Sequence, residues 1–106
     1  MVKSITMDDL YEKSKNLGQD ELILDVRSPE EYADGHVPGS RNISHDMVRQ
    51  HVGELKKYKR LYIYCHSGGR VSFTAHELSQ LGITNFDVVV SGGMPDWESS
   101  GYPVER

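Results

Sequence analysis

LYIYCHSGGR, residues 61–70, carries the clearest fold signal in the sequence. Its first five residues are apolar nearly throughout, whereas a strand exposed on one face would alternate apolar with polar residues. Residues 22–26 and 86–90 repeat this pattern, which is typical of parallel strands covered by helices on both faces. Short strands are also expected at residues 2–5 and 41–43. These runs predict a mostly parallel sheet.

Helices are predicted between the strands from the signals at their ends. The first runs from Thr6, its N-cap, with Asp9 three residues later, to Gly18 as its C-cap. The second starts at Ser28, and Pro29 takes the first helical position. Strands that alternate with helices in this way predict an α/β fold with right-handed crossovers.

Two further helices follow along the chain. The third comes after Ser44, where apolar residues recur at positions 48, 52 and 55. The fourth covers residues 71–81 and is closed by Gly82. Ligands of such sheets bind at the carboxyl ends of the strands, so the chemistry is expected at that edge.

The composition limits the kind of protein. The 106 residues fit one domain, and 37% apolar with 26% charged residues is typical of a globular chain. The formal net charge is -4, and the basic run at residues 56–60 is interpreted as a solvated helix end, so no nucleic-acid partner is expected. No stretch resembles a signal peptide or reaches the ~20 apolar residues that span a bilayer. We therefore expect residues 1–106 to be a single cytoplasmic domain with no membrane partner.

Cys65 is the only cysteine of the chain. A single thiol excludes an intramolecular disulfide, a cysteine-based zinc site and an internal resolving thiol. The five histidines show no spacing that would gather them around an ion, so no metal and no cofactor is predicted. A lone cysteine in an apolar strand is usually an inert core residue. The Gly-Gly-Arg sequence that follows favours a nucleophile, because an inert cysteine needs no anion cradle after it.

The loop after Cys65 is predicted to bind an anionic sulfur. Cys65 is interpreted as the last residue of its strand, with a helix starting shortly after it. Gly68 and Gly69 allow the backbone to curl so that several N–H groups face one centre. Together with the helix dipole and the guanidinium of Arg70, these groups favour the thiolate over the thiol.

The first two side chains of the loop leave alternatives open. His66 is either an acid or base in the reaction or a residue of the pocket rim. Ser67 either donates a hydrogen bond to the sulfur or shapes the turn. The predicted site thus has Cys65 as its catalytic residue and a substrate-binding loop after it. That loop consists of His66, Ser67, Gly68, Gly69 and Arg70.

Four separated motifs resemble the rhodanese homology domain in order and spacing. They are LDVRSPEEY at residues 24–32, GHVPGSRN at residues 35–42, the loop at residues 65–70, and GGM at residues 92–94 followed by Trp97. The resemblance covers essentially the whole chain. It implies a three-layer α/β/α sandwich around a central five-stranded parallel sheet. It also implies a sulfurtransferase whose Cys65 takes a sulfane sulfur from a small donor such as thiosulfate, holds it as a persulfide, and passes it to cyanide or to a thiol, including a protein thiol.

The remaining motif residues are interpreted as structural. Asp25 and Arg27 could reach the pocket, but buried carboxylates are normally held by local donors, so we expect them to fix the following turns by hydrogen bonds and by an ion pair with each other or with a nearby residue. Residues 35–42 are expected to form a tight turn with His36 as a hydrogen-bonded support. Trp97 is expected to pack the carboxyl-terminal helix onto the core.

Rival functions share parts of this pattern. A phosphatase also uses a cysteine thiolate, a backbone cradle and an arginine, but its loop needs five residues between the cysteine and the arginine. In this chain only four residues lie between Cys65 and Arg70. Arsenate reduction commonly draws on further thiols, although a glutathione-dependent version stays open. A protein-interaction module is a third alternative. A persulfide carrier uses the same persulfide as an enzyme, so the sequence does not separate the two.

Overall fold

Five parallel strands form one sheet in the computed structural model, which describes residues 2–106. The order across the sheet is β1-β5-β4-β2-β3, and every neighbouring pair is parallel. The predicted parallel α/β sheet is confirmed, and β4, which precedes the candidate loop, is its central strand. The strands are β1 (Lys3–Ser4), β2 (Glu21–Asp25), β3 (Arg41–Asn42), β4 (Arg60–Tyr64) and β5 (Phe86–Val88).

Helices connect these strands and cover the sheet. None of the helices within residues 2–106 has the length and apolar character needed to cross a membrane. A 3-10 helix at Val48–His51 leads directly into α3. The α-helices are α1 (Met7–Lys15), α2 (Pro29–Asp34), α3 (Val52–Leu55), α4 (Gly69–Gln80) and α5 (Met94–Ser99).

The core has two parts, one on each face of the sheet. Leu22 and Leu24 of β2 pack in one cluster with Leu78 of α4. Ile23, which lies between them, packs in the other cluster with Trp97 of α5. Successive side chains of a strand point to opposite faces, so β2 contributes apolar residues to both clusters. This explains the unbroken apolar runs in the sequence and confirms the three-layer α/β/α sandwich.

The predicted start of α1 is confirmed, and its predicted end is wrong. The Asp9 amide donates to the Thr6 hydroxyl and the Thr6 amide donates to the Asp9 carboxylate, both at 3.0 Å. The helix ends with Asn16 as its C-cap, short of Gly18. The amide of Gly18 instead donates to the side chain of Glu21 at 2.9 Å, which places Gly18 in the turn that leads into β2.

Other boundaries also differ from the predicted ones. The third predicted helix is two short pieces, the 3-10 helix and α3. Helix α4 begins at Gly69, two residues earlier than predicted, while Gly82 after it has the left-handed backbone, with a φ of 83°, that a closing glycine requires. Strand β5 ends at Val88, although the Val89 amide still donates to the Ile63 carbonyl oxygen at 2.9 Å.

Candidate active site

Cys65 lies directly after β4, at the carboxyl end of the central strand. The prediction that it is the last strand residue is wrong, because its carbonyl oxygen accepts a hydrogen bond from the amide of Met94 at 3.0 Å and not from a neighbouring strand. The residue is only 1% exposed and packs with Val71 of α4 in the core cluster on that face. The thiol is therefore held at the sheet edge where ligands of parallel sheets bind.

Gly68 provides the hydrogen bond to the sulfur. Its amide donates to the Cys65 Sγ at 3.1 Å. Gly68 has a left-handed backbone, with a φ of 103°, and a Cβ atom there would lie 2.1 Å from the carbonyl oxygen of Val90. Both constraints exclude a side chain at this position. The tight curl predicted for the loop is therefore confirmed at Gly68.

Gly69 does not share these constraints. It is the first residue of α4, its φ is not in the left-handed range, and a Cβ atom on it would meet nothing within 4 Å. The explanation that both glycines are needed for the curl is therefore wrong for Gly69, because the helix has already begun there.

Further backbone N–H groups of the Cys65–Arg70 loop are unpaired within the described part of the chain. Those of Ser67, Gly69 and Arg70 have no acceptor within residues 2–106. Unpaired amides of this kind are usual in the first turn of a helix, where they carry its positive dipole end. One amide thus contacts the sulfur directly, and the loop holds further amides without an acceptor among the described residues.

Arg70 is paired with Glu31 of α2. Its two terminal nitrogens donate to the two carboxylate oxygens of Glu31, at 2.5 Å and 3.0 Å. Glu31 also completes the capping box of α2, since its carboxylate accepts from the Ser28 amide at 3.1 Å. The hydrogen bonds from Arg70, and then those with Ser28, hold the pKa of Glu31 at about 2. The guanidinium expected to serve the sulfur is therefore shared with a carboxylate.

Glu31 was not predicted as a site residue. The sequence shows it only as an acidic residue in the first turn after Ser28, three positions from the cap. That spacing is the capping-box signal and fixes the side chain near its own helix. It does not show that the sheet brings Arg70 alongside, because the two residues are 39 positions apart.

A cleft of about 210 Å³ lies beside the loop. His66 is exposed and lines this cleft, which agrees with a position on the rim. Ser67 is also exposed, and within the described chain the Cys65 sulfur accepts from the Gly68 amide and not from the Ser67 hydroxyl. The polar lining of the cleft includes Arg27, Glu31, Asp34, His66 and Glu98.

Asp25 and Arg27 form an ion pair with each other, one of the two expected arrangements. They are 0% and 4% exposed, and the Arg27 Nη2 donates to Asp25 Oδ2 at 2.7 Å and to the carbonyl oxygen of Gly35 at 2.7 Å. The hydroxyl of Tyr64 donates to the same Asp25 oxygen at 2.7 Å and accepts from the Val37 amide at 3.1 Å. Burial, and then the charge of Asp25, raise the pKa of Tyr64 above its ordinary value. The network ties the end of β2 to the turn at residues 35–42.

The remaining motif residues support the loop from outside. His36 Nδ1 lies 2.8 Å from the Tyr32 carbonyl oxygen, so the predicted hydrogen-bonded support is confirmed. Trp97 is fully buried against the core, as predicted. A Cβ atom on Gly93 would lie 2.1 Å from the His66 carbonyl oxygen. The segment after β5 therefore packs directly against the loop at residues 65–70, which we call the sulfur loop. Within residues 2–106, no three histidine, cysteine, aspartate or glutamate side chains come together in a way that could hold a metal ion.

Comparison with known proteins identifies relatives of this chain. The family model described as "Rhodanese-like domain" matches residues 6–100. A Bacillus subtilis protein named "Putative sulfur carrier protein YrkF" is 40% identical over 75 residues, which cover 71% of this chain and 40% of that protein. The "Thiosulfate sulfurtransferase GlpE" of Pseudoalteromonas translucida is 32% identical over 91 residues, which cover 83% of this chain and 84% of that protein.

Solved structures share the whole architecture. The crystal structure of a rhodanese-related protein from Thermoplasma volcanium has a TM-score of 0.79 and 36% sequence identity, and the match covers 97% of both chains. In contrast, the chain spans less than two thirds of the length of YrkF and of a second Bacillus subtilis relative. Some relatives therefore carry a matching region inside a longer protein, and others consist of little else.

Proposed function

Because this chain belongs to the rhodanese-like domain family, we propose that it transfers a sulfane sulfur through a persulfide on Cys65. The proposed donor is a small molecule such as thiosulfate, and the proposed acceptor is cyanide or a thiol. The observation that carries the proposal is the 3.1 Å hydrogen bond from the Gly68 amide to the Cys65 Sγ at the start of α4. A donor at a helix N-terminus stabilises a thiolate, which is the nucleophilic form of cysteine.

The first half-reaction loads the sulfur. The Cys65 thiolate attacks the outer sulfur of thiosulfate, a new S–S bond forms, and the S–S bond of thiosulfate breaks. Its electron pair leaves with sulfite, so thiolate and thiosulfate become persulfide anion and sulfite with the same total charge. The amides at the start of α4 are the groups available to stabilise the transferred sulfur as its negative charge develops.

The second half-reaction unloads it. A nucleophile attacks the terminal sulfur of the Cys65 persulfide, and the electron pair of the broken bond returns to Cys65 as thiolate. Cyanide leaves as thiocyanate, and a thiolate leaves as a new persulfide. Neither half-reaction requires a cofactor, and the release of sulfite before the acceptor binds predicts ping-pong kinetics.

A persulfide carrier is the second candidate. It is favoured by the 40% identity to YrkF, whose name describes a sulfur carrier and not an enzyme. Both candidates require the Cys65 persulfide and differ in the acceptor. An enzyme releases its sulfur to a small molecule, whereas a carrier holds it until a protein thiol takes it.

Intact-mass spectrometry after exposure to thiosulfate tests the proposal. We expect the protein to gain the mass of one sulfur atom, and we expect a reductant or cyanide to remove it. Two samples are matched controls that should gain nothing: the Cys65→Ser variant, and wild-type protein alkylated at Cys65 beforehand. A sulfur gain that persists in Cys65→Ser would rule out Cys65 as the carrier. The acceptor separates the two candidates: loaded enzyme is expected to release its sulfur readily to cyanide or a small thiol, whereas a loaded carrier is expected to keep it until a protein thiol is supplied.

A further inference from the structure

The positive charge of the sulfur loop is neutralised within the protein. Arg70 is the one basic residue of the Cys65–Arg70 loop with a permanent charge. Both of its terminal nitrogens are bonded to Glu31, the first at 2.5 Å. A bidentate pair of this kind holds the guanidinium in one plane and one direction. Arg70 therefore contributes little net positive charge to the side of the loop that a substrate would meet.

The position of Glu31 is itself fixed. Its carboxylate accepts from the Ser28 amide at 3.1 Å, and its own amide donates to the Ser28 hydroxyl at 3.2 Å. The carboxylate thus has three donors, two from Arg70 and one from the helix cap. Three donors thus hold the Glu31 carboxylate beside the loop.

The cleft beside the loop has more acidic than basic side chains in its lining. Arg27 is committed to Asp25, at 2.7 Å. Asp34 and Glu98 also line the cleft, and neither has an ion-pair partner among the residues that the structure describes. Since Arg27 is balanced by Asp25 and Glu31 is balanced by Arg70, the side chains of Asp34 and Glu98 leave the cleft with an excess of negative charge.

We infer that Glu31 is a specificity-determining residue of the sulfur site, which neutralises Arg70 so that the site disfavours small dianions and favours sulfur carried on thiols of low charge. The inference rests on the proposed sulfur transfer for its meaning, but the electrostatic effect itself can be measured without it. A thiol-borne persulfide carries at most one negative charge on its sulfurs, whereas thiosulfate carries two. The excess negative charge of the cleft therefore favours thiol-borne persulfides over thiosulfate as sulfur donors.

Alkylation of Cys65 measures the local charge directly. The Cys65 thiolate displaces iodide from both iodoacetate and iodoacetamide, which are similar in shape, but only iodoacetate is anionic. We expect Glu31→Gln to raise the ratio of the iodoacetate rate to the iodoacetamide rate about fivefold, the effect that one unit charge has at a reference distance of about 4 Å in water. Glu30→Gln is the matched control, because it removes the same charge from the exposed neighbouring residue, and it should change the ratio less than twofold.

Arg70→Gln provides the opposite change. It removes the cation and leaves the Glu31 carboxylate unbalanced, so the same ratio is expected to fall. If Glu31 had only a structural role, both variants would change the rates of alkylation by iodoacetate and by iodoacetamide by the same factor. An unchanged ratio in Glu31→Gln, a shift of equal size in Glu30→Gln, or failure of both reagents to reach Cys65 would overturn the inference.

Sulfur transfer provides the second readout. The value of kcat/KM for thiosulfate, divided by the value for the persulfide of 2-mercaptoethanol, is expected to rise about fivefold in Glu31→Gln and to lose that difference at high salt. An unchanged quotient with active protein would overturn the inference while the proposed function stands. A shift in the alkylation ratio without persulfide formation from either donor would support the charge assignment and reject the proposed function.

Discussion

Gly68 and Val90 approach so closely that a Cβ atom on Gly68 would lie 2.1 Å from the Val90 carbonyl oxygen. The contact joins the sulfur loop to the segment that follows β5, and it coincides with a left-handed backbone at Gly68. Gly69 meets nothing within 4 Å of a Cβ position and lies in the first turn of α4. Two glycines that look equivalent in the sequence therefore have different requirements.

The first prediction compares Gly68→Ala with Gly69→Ala. Gly68→Ala is expected to displace the loop, because the added methyl group collides with backbone and the left-handed conformation becomes unfavourable by about 1–2 kcal/mol. It should lose most persulfide formation. Gly69→Ala is expected to keep the sulfur site and to change the free energy of unfolding by about 1 kcal/mol or less, in the stabilising direction.

Urea unfolding and intact mass after thiosulfate exposure measure both effects on the same samples. Gly69→Ala is the control for the added methyl group. If the two variants lose stability and persulfide formation equally, the close approach to Val90 is not the reason for glycine at position 68.

The second prediction concerns the buried hydroxyl of Tyr64. Tyr64→Phe removes the donor to Asp25 and leaves the Val37 amide without its acceptor. A buried group that loses its partner costs about 1–3 kcal/mol, so the free energy of unfolding should fall by that amount. The measurement is the urea midpoint at constant denaturant slope.

Tyr62→Phe on the same strand is the matched control. Its hydroxyl donates to the partly exposed Glu21 side chain at 3.2 Å, and water can replace that bond in the variant. We expect a loss of less than about 1 kcal/mol. An equal loss in both variants would show that the aromatic hydroxyl as such, and not the Asp25 network, sets the stability.

The sequence predicts the core elements well because their signals are local. The unbroken apolar run of β4 requires cover on both faces, and the pairs Thr6 with Asp9 and Ser28 with Pro29 mark helix starts within one turn. These features depend on residues that are neighbours in the chain. The same reasoning fails at Gly18, where a side chain three positions later takes the amide and the helix ends earlier.

The site is only partly predictable for the opposite reason. Cys65 and Gly68 are neighbours in one loop, and their hydrogen bond follows from the local turn. The pairing of Arg70 with Glu31 depends on how α2 and α4 meet across the sheet, and no spacing in the sequence shows it. The expected role of the arginine therefore changes once its carboxylate partner is known.

The third prediction uses the pKa of Glu31. The hydrogen bonds from Arg70, first, and from Ser28 lower the pKa of Glu31 from 4.5 to about 2 in the folded protein. A lowered folded-state pKa means that the contribution to stability is present above about pH 4.5 and is lost as the pH falls through about 2. Protonation then removes the charge that pairs with Arg70.

The comparison that checks it is the free energy of unfolding of wild type minus that of Glu31→Gln, measured from pH 7 down to pH 2. The difference is expected to shrink across the acid range. Glu54, whose pKa is also lowered to about 2 by Arg41, titrates in the same window in both proteins and so cancels in the subtraction. A difference that stays constant with pH would show that the carboxylate charge contributes nothing through Arg70.

The last prediction tests sulfur against phosphate through the length of the loop. Four residues separate Cys65 from Arg70, and Arg70 is already engaged by Glu31. A phosphoryl group brings three oxygens that all need donors, and unpaired charged acceptors are costly in a closed pocket. We therefore expect no measurable hydrolysis of an aryl phosphate under conditions in which thiosulfate loads Cys65.

Insertion of one glycine between Gly68 and Gly69 lengthens the loop without moving the left-handed residue. It should reduce persulfide formation, because the first amides of α4 move away from a sulfur attached to Cys65 at the S–S distance of about 2.05 Å. The matched control is one glycine inserted after Gly101, an exposed turn residue outside the helices where a Cβ position meets nothing within 4 Å. Phosphatase turnover by the native chain that disappears in Cys65→Ser would reverse the functional assignment and leave the fold unchanged. Equal persulfide formation in the native and lengthened loops would show that the position of the α4 amides does not matter for holding the sulfur.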